Sequence, residues 1–220
     1  YLQRYFKYET LIVEKVLAFF DSEKSELAKR KASLSNQKEF IQGLFHNEKY
    51  PKTSTDWQMT AALNSAVRNF SIITGGPGTG KTTTVAKLLG LLFNQKPTLK
   101  VALAAQTGKA AARLKESLIV AKNSIKIDDA IKEQFNSIEP STIHRLLGSQ
   151  FDSVDFKHNV DKPLDYDVVI IDESSMIDVP LMAKLFDAIP SDRKLILLGD
   201  RNQLASVEAG SVFGDLCELG

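Results

Sequence analysis

The sequence predicts an α/β fold, a parallel sheet covered by helices on both faces and preceded by a short helical segment. Three observations carry this. Four short runs, "FSIIT" (70–74), "LKVALA" (99–104), "DVVII" (167–171) and "KLILL" (194–198), are apolar without alternation, as strands buried on both faces are. Stretches with apolar residues at helical spacing lie between them. The first run also stops abruptly at a glycine loop, "TGGPGTGKTTTV" (74–85), which leads straight into one of those helices.

In chain order, residues 1–50 read as the helical end of an accessory domain. Val13, Val16, Leu17 and Phe20 fall at i, i+3, i+4 and i+7, predicting one apolar helix face. "SEKSELAKRKAS" (22–33) is a charged connector or an exposed helix, and "KEFIQGLF" (38–45) is a second short apolar stripe. "HNEKYPKTST" (46–55), broken by Pro51, reads as a linker. The main domain then runs over 51–220. Asp56 is placed to N-cap "WQMTAALNSAVRN" (57–69), whose buried stripe is Ala62, Leu63, Ala66 and Val67. Val85, Leu88, Leu89 and Leu92 form another stripe, and Met182, Leu185, Phe186 and Ile189 a third. The stretch from 122 to 165 is the least regular and is expected to carry loops.

Composition narrows the classes. Net charge is +1 and the pI about 7.9, so the basic excess of a duplex-coating protein is absent and any polyanion site must be local. The lone Cys217 excludes an internal disulfide framework and a clustered-thiolate zinc site, and fits a reducing compartment, the cytoplasm. No apolar run approaches the roughly 20 residues that cross a bilayer, and "TLIVEKVLAFF" (10–20) is interrupted by Glu14 and Lys15. No membrane role is expected. The chain opens on Tyr1 and closes on Gly220, which reads as a piece of a longer protein.

The glycine loop carries the first chemistry. Gly75, Gly80, Lys81 and Thr82 satisfy G-x-x-x-x-G-K-[ST], with Gly76, Pro77, Gly78 and Thr79 between them and Thr83 following. Backbone N–H groups can curl around an anion only where side chains do not block the approach, and a helix start adds partial positive charge. Lys81 is expected to neutralise the β- and γ-phosphates of ATP, and the Thr82 hydroxyl to sit on Mg2+. A glycine-rich turn that matches by chance is the alternative, and the strand–loop–helix context argues against it.

"DVVIIDESSMID" (167–178) supplies the next part. In a parallel sheet its strand ends on the same edge as the phosphate loop. Asp172 is expected in the Mg2+ shell and Glu173 as the general base that polarises the attacking water. In "LILLGDRNQLASV" (195–207), Gln203 could contact a γ-phosphate and lose that contact when the phosphate leaves; a polar turn residue is the bland reading. Gln58 could read the adenine edge, or be a surface glutamine.

Five separated blocks carry a family resemblance: "GGPGTGKTTTVAKLL" (75–89), "LAAQTGKAAARLKESL" (103–118), "TIHRLLG" (142–148), "VVIIDESSMID" (168–178) and "LLGDRNQLASVEAGSVFGDLC" (197–217). In order and style they resemble superfamily 1 DNA helicases, and within them the RecD family, the alpha subunits of exodeoxyribonuclease V. The resemblance covers about 56 to 220; the leader is similar only loosely. It implies a RecA-like P-loop motor domain of an ATP-dependent 5′-to-3′ translocase acting on single-stranded DNA in double-strand-break repair, beside RecB- and RecC-like subunits. "DWQMTAA" (56–62) is similar to the family's adenine-contacting segment, which strengthens the adenine reading of Gln58.

By the same resemblance, Thr107, Gly108 and Lys109 would touch the DNA backbone, as would Thr142 and His144. On the residues alone, His144 is a helix-start histidine, and Lys109 and Arg113 are solvated helix charges. Gln106 stands where the family commonly has proline, and Ser174 where it has alanine. No clustered metal-ligand carboxylates beyond Asp172 and Glu173 point to a nuclease. The second motor domain lies outside the sequence, so the isolated 220 residues are expected to be nearly inactive. Other readings are a stand-alone helicase of the same superfamily, a P-loop ATPase that remodels another protein, and a scaffold that keeps a nucleotide site.

Overall fold

The computed structural model describes residues 2–45, 55–150, 155–203 and 212–218. Five strands, β1 (Phe70–Thr74), β2 (Val101–Ala105), β3 (Ser141–Thr142), β4 (Val168–Asp172) and β5 (Lys194–Gly199), form one all-parallel sheet in the order β1-β5-β4-β2-β3. The four apolar runs are β1, β2, β4 and β5. Residues such as Leu103, Ile170 and Leu197 are fully buried, as strands covered on both faces require. The two-residue β3 has no apolar run to announce it. It extends the sheet by pairing Ala104 with Ser141 and Ala105 with Thr142.

One face packs against α3 (Lys38–Phe45), α4 (Trp57–Val67), α5 (Lys81–Gln95), α6 (Gly108–Ser124) and α7 (Asp129–Asn136). The other packs against α1 (Leu2–Glu23), α8 (Ile143–Leu147), α9 (Val179–Asp187) and α10 (Val212–Glu218). Val85, Leu88, Leu89 and Leu92 of α5 are buried, as are Met182, Leu185 and Phe186 of α9 and Ile189 just beyond it. Asp56 caps α4, its carboxylate accepting from the Met59 N–H. The charged α2 (Leu27–Ser35) buries no residue and lies on the surface. The stretch expected to be irregular holds the end of α6 together with α7, β3 and α8.

The leader corrects one expectation. The face of α1 that meets the domain is Ile12, Val16 and Phe19, with Phe19 stacked on Phe70 and edge-on to Phe186. Val13, Leu17 and Phe20 are 50%, 57% and 40% exposed. Two apolar stripes share Val16 on this helix, and spacing alone does not say which of them meets a partner. A buried carboxylate fixes the junction: Glu23 accepts from the Arg68 guanidinium and from the Asn69 N–H, both at 2.6 Å. The linker expected at 46–55, and with it the 50/51 domain boundary, falls almost wholly outside the described residues.

Candidate functional site

The site grows from the register of three neighbouring strands. Thr74 pairs with Gly199, and Ile171 with Leu197, so β1, β5 and β4 end together at one edge. Each then turns into a different piece of the site. The Gly75 N–H donates to the Gly199 carbonyl at 3.1 Å, and the Arg201 N–H donates to Thr74 Oγ1 at 3.2 Å, so the loops after β1 and β5 are tied side by side.

The loop after β1 is built for close approach. Gly78 and Gly80 take φ of +76° and +84°, where a side chain is strained. A Cβ on Gly80 would also stand 2.4 Å from Gln58 Nε2. That amide donates to the Thr79 carbonyl at 3.2 Å, which places Gln58, at the start of α4, against the loop. Gly80 caps α5, whose first residue is Lys81. The Lys81 ammonium folds into the loop and donates to the Gly75 and Gly76 carbonyls. Thr82 and Thr83 follow in the first turn of α5, half-buried.

Across the edge, Asp172 is the last residue of β4. Burial raises its carboxyl above the usual range; the Glu173 N–H, donating to Oδ1 at 2.9 Å, and the nearby Lys81 charge oppose that rise. Glu173 has φ +54°, the one left-handed non-glycine among the described residues. Strain of this kind persists where the surroundings over-determine a residue, and it gathers at functional positions. A short 3₁₀ turn, Ser174–Met176, follows, with the Ser174 hydroxyl donating to the Ile171 carbonyl at 3.0 Å. The Ser175 hydroxyl donates to Gln203 Oε1 at 3.1 Å.

The structure therefore brings Gly75 to Thr83, Gln58, Asp172, Glu173 and Gln203 to one edge. Neither Ser175 nor the left-handed Glu173 was legible as such, although both lie within "DESSM". The groups fit a nucleoside triphosphate with a divalent cation: a glycine-rich loop at a helix N-terminus, an ammonium within it, threonines in the first helical turn, and a carboxylate at the neighbouring strand end.

The second group of residues lies further along the same edge. Thr107 ends the β2 turn and its Oγ1 accepts from the Ala110 N–H at 3.2 Å, capping α6; Gly108 and Lys109 are exposed in the first turn. Thr142 does the same for α8, accepting from the Arg145 N–H. His144 is exposed, with its ring edge-on to Phe156 at 5.7 Å. Both threonine hydroxyls are thus engaged by backbone N–H groups. The side-chain oxygen Gln106 Oε1 is buried and accepts no hydrogen bond.

The AAA domain family matches residues 58–209, which run from Gln58 past Gln203. The RecBCD enzyme subunit RecD of Haemophilus influenzae is 47% identical over 181 residues, covering 78% of this chain and 28% of that protein. The ATP-dependent RecD2 DNA helicase of Deinococcus radiodurans is 39% identical over 139 residues, covering 63% of this chain and 16% of that one. The chain thus spans less than a third of the length of these relatives. Among solved structures, the UvsW helicase of bacteriophage T4 superposes with a TM-score of 0.50 at 12% identity, covering 74% of this chain and 59% of that one. That likeness is one of fold.

Proposed function

The chain belongs to the AAA domain family, and on that premise we propose that it is the ATP-binding motor half of a RecD-type superfamily 1 DNA helicase. The observation that supports this is the convergence of the β1, β4 and β5 ends beside one glycine loop, joined by register to the helix starts after β2 and β3. The identity to RecD and RecD2, 47% over 181 residues and 39% over 139, supports the choice of a helicase over a protein-remodelling ATPase.

Each residue has a task. The backbone N–H groups of Gly75 to Thr83 enclose the phosphates, and Lys81 leaves its two loop carbonyls to pair with the terminal phosphate charge. Gln58, held against the loop through the Thr79 carbonyl, would contact the adenine edge. Thr82 and Asp172 would hold Mg2+, which when bound offsets charge on the phosphate oxygens. Glu173 takes a proton from the attacking water, and Gln203 offers its amide N–H to the γ-phosphate. Loss of that contact on hydrolysis is a differential interaction of the kind that can drive a shape change. Thr107 to Lys109, with Thr142 and His144, grip the backbone of single-stranded DNA through local contacts, which a near-neutral chain permits.

The full-length protein is then a 5′-to-3′ translocase working beside RecB- and RecC-like subunits on broken DNA, in the cytoplasm. Among the described residues no helix is long and apolar enough to cross a membrane. The test is ATP turnover by the full-length protein with and without single-stranded DNA. Strong stimulation by the strand supports the reading, and turnover indifferent to it would favour the remodelling ATPase.

A further inference from the structure

Phosphate oxygens only accept hydrogen bonds, so a glutamine that senses a phosphate must present its NH2 group and have its carbonyl oxygen held elsewhere. In this structure the hydroxyl of Ser175 supplies that hold, donating to Gln203 Oε1 at 3.1 Å. Ser175 is 6% exposed and sits in the turn immediately after the two carboxylates, whereas Gln203 is exposed. The donor is therefore anchored in the protein and the acceptor reaches into the site.

Both ends of this bond are fixed by backbone. On the β4 side, the Met176 N–H donates to the Glu173 carbonyl at 3.0 Å and the Ile177 N–H to the Ser174 carbonyl at 3.3 Å, closing the turn that aims Ser175. On the β5 side, the Gln203 N–H donates to the Asp200 carbonyl and the Asn202 N–H to Asp200 Oδ1, closing the turn that aims Gln203. The Arg201 N–H, donating to Thr74 Oγ1, ties that second turn to the phosphate loop. A side chain as mobile as glutamine thereby has one of its two ends specified.

We propose that Ser175 is a positioning residue for Gln203: its hydroxyl selects the amide orientation that turns Nε2 toward the terminal phosphate, and it couples Gln203 to the turn carrying Asp172 and Glu173. The assignment rests on the ATPase reading above. Ser175 acts through Gln203. Without it the amide is free to rotate and can set its carbonyl oxygen against the anion, where it repels.

A double-mutant cycle on the full-length protein tests this, with DNA-stimulated ATP turnover and the KM for ATP as readouts. Ser175→Ala should lower kcat roughly five- to tenfold, the worth of one hydrogen bond of about 1 kcal/mol, and leave the KM for ATP nearly unchanged. In a Gln203→Ala background the same substitution should cost nothing further. A Ser175→Ala protein with wild-type kcat would overturn the assignment. So would a loss of equal size in the Gln203→Ala background, because Ser175 would then act independently of the glutamine. Lys81→Gln in the same assay separates this from failure of the ATPase reading. If Lys81→Gln turns over ATP like wild type, the reading falls and the assignment with it; if Lys81→Gln is inactive and the Ser175 arm is additive, only the assignment falls.

Discussion

The ammonium of Lys81 lies 2.6 Å from the carbonyl oxygen of Gly75, inside the loop that this lysine closes, with a second contact to Gly76 at 3.1 Å. Neutral carbonyls are weak partners for a cation compared with a phosphate, so a bound triphosphate should draw the ammonium away from them. Lys81→Gln can still bridge the loop but brings no charge. It is expected to lose ATP turnover by a factor on the order of 10² or more while the melting temperature stays close to wild type. Unchanged turnover would count against the cradle.

Glu173, the general base of the proposed function, has a left-handed backbone. Glu173→Gln should keep nucleotide binding and lose turnover by a factor on the order of 10², as for a removed general base. Glu173→Gly should lose turnover too, yet gain stability of roughly 1 kcal/mol, because glycine relieves the left-handed φ of +54°. Thermal unfolding of the two variants side by side checks this; a glycine variant less stable than wild type would remove the strain argument.

In the proposed function Thr107 both caps α6 and contacts DNA, and two substitutions test these roles together. Its hydroxyl caps α6 through the Ala110 N–H, so Thr107→Ala should cost about 1 kcal/mol of stability and weaken DNA stimulation of ATP turnover. Thr107→Ser keeps the cap and should retain both. Basal ATP affinity should hold in each. If affinity and DNA stimulation fall together, the DNA grip lies elsewhere.

Lys194 predicts a pH dependence. Its ammonium donates to the Ser65 and Arg68 carbonyls at the end of α4, and burial, helped by the Arg30 charge and opposed by Glu23, pushes it down to about 7 from 10.5. Between those values the unfolded chain binds more protons than the folded one, so stability from this group rises with pH from about 7 to about 10.5 and is least favourable below 7. Lys194→Met should flatten that rise. Denaturant midpoints measured for both proteins across this range provide the check, and parallel profiles would contradict it.

The side-chain oxygen Gln106 Oε1 is buried and accepts no hydrogen bond, at a position where the resembled family commonly places proline. Replacing an unsatisfied acceptor by an apolar group of similar length recovers desolvation free energy. Gln106→Met should therefore stabilise the protein by about 1 kcal/mol in chemical denaturation, and a clear loss of stability would show that the amide is engaged after all.

The sequence announced the four long strands, because burial on both faces leaves a run such as "DVVII" with no polar interruption. The glycine loop and the adjacent Asp172–Glu173 pair are legible too, because their glycines and acids stand at fixed spacing after apolar runs. The sequence did not announce β3, whose two residues Ser141 and Thr142 are strand only because Ala104 and Ala105 offer them hydrogen bonds. The buried face of α1 is not legible in spacing because Val13, Leu17 and Phe20 are as periodic as Ile12, Val16 and Phe19; both Phe19 and Phe20 reach Phe70, and it is the burial of Ile12, Val16 and Phe19 against the domain that separates the two stripes. The Ser175–Gln203 bond joins residues 28 apart in sequence. No local pattern encodes it; it exists because β4 and β5 are neighbours.

The most direct test of the account is a crystal structure of the full-length protein with Mg2+ and a non-hydrolysable ATP analogue. The account places the γ-phosphate within hydrogen-bond reach of Lys81 Nζ and Gln203 Nε2, the metal on Thr82 and Asp172, and the Lys81 ammonium withdrawn from the Gly75 carbonyl. A nucleotide bound elsewhere, with Lys81 still seated on that carbonyl, would contradict it.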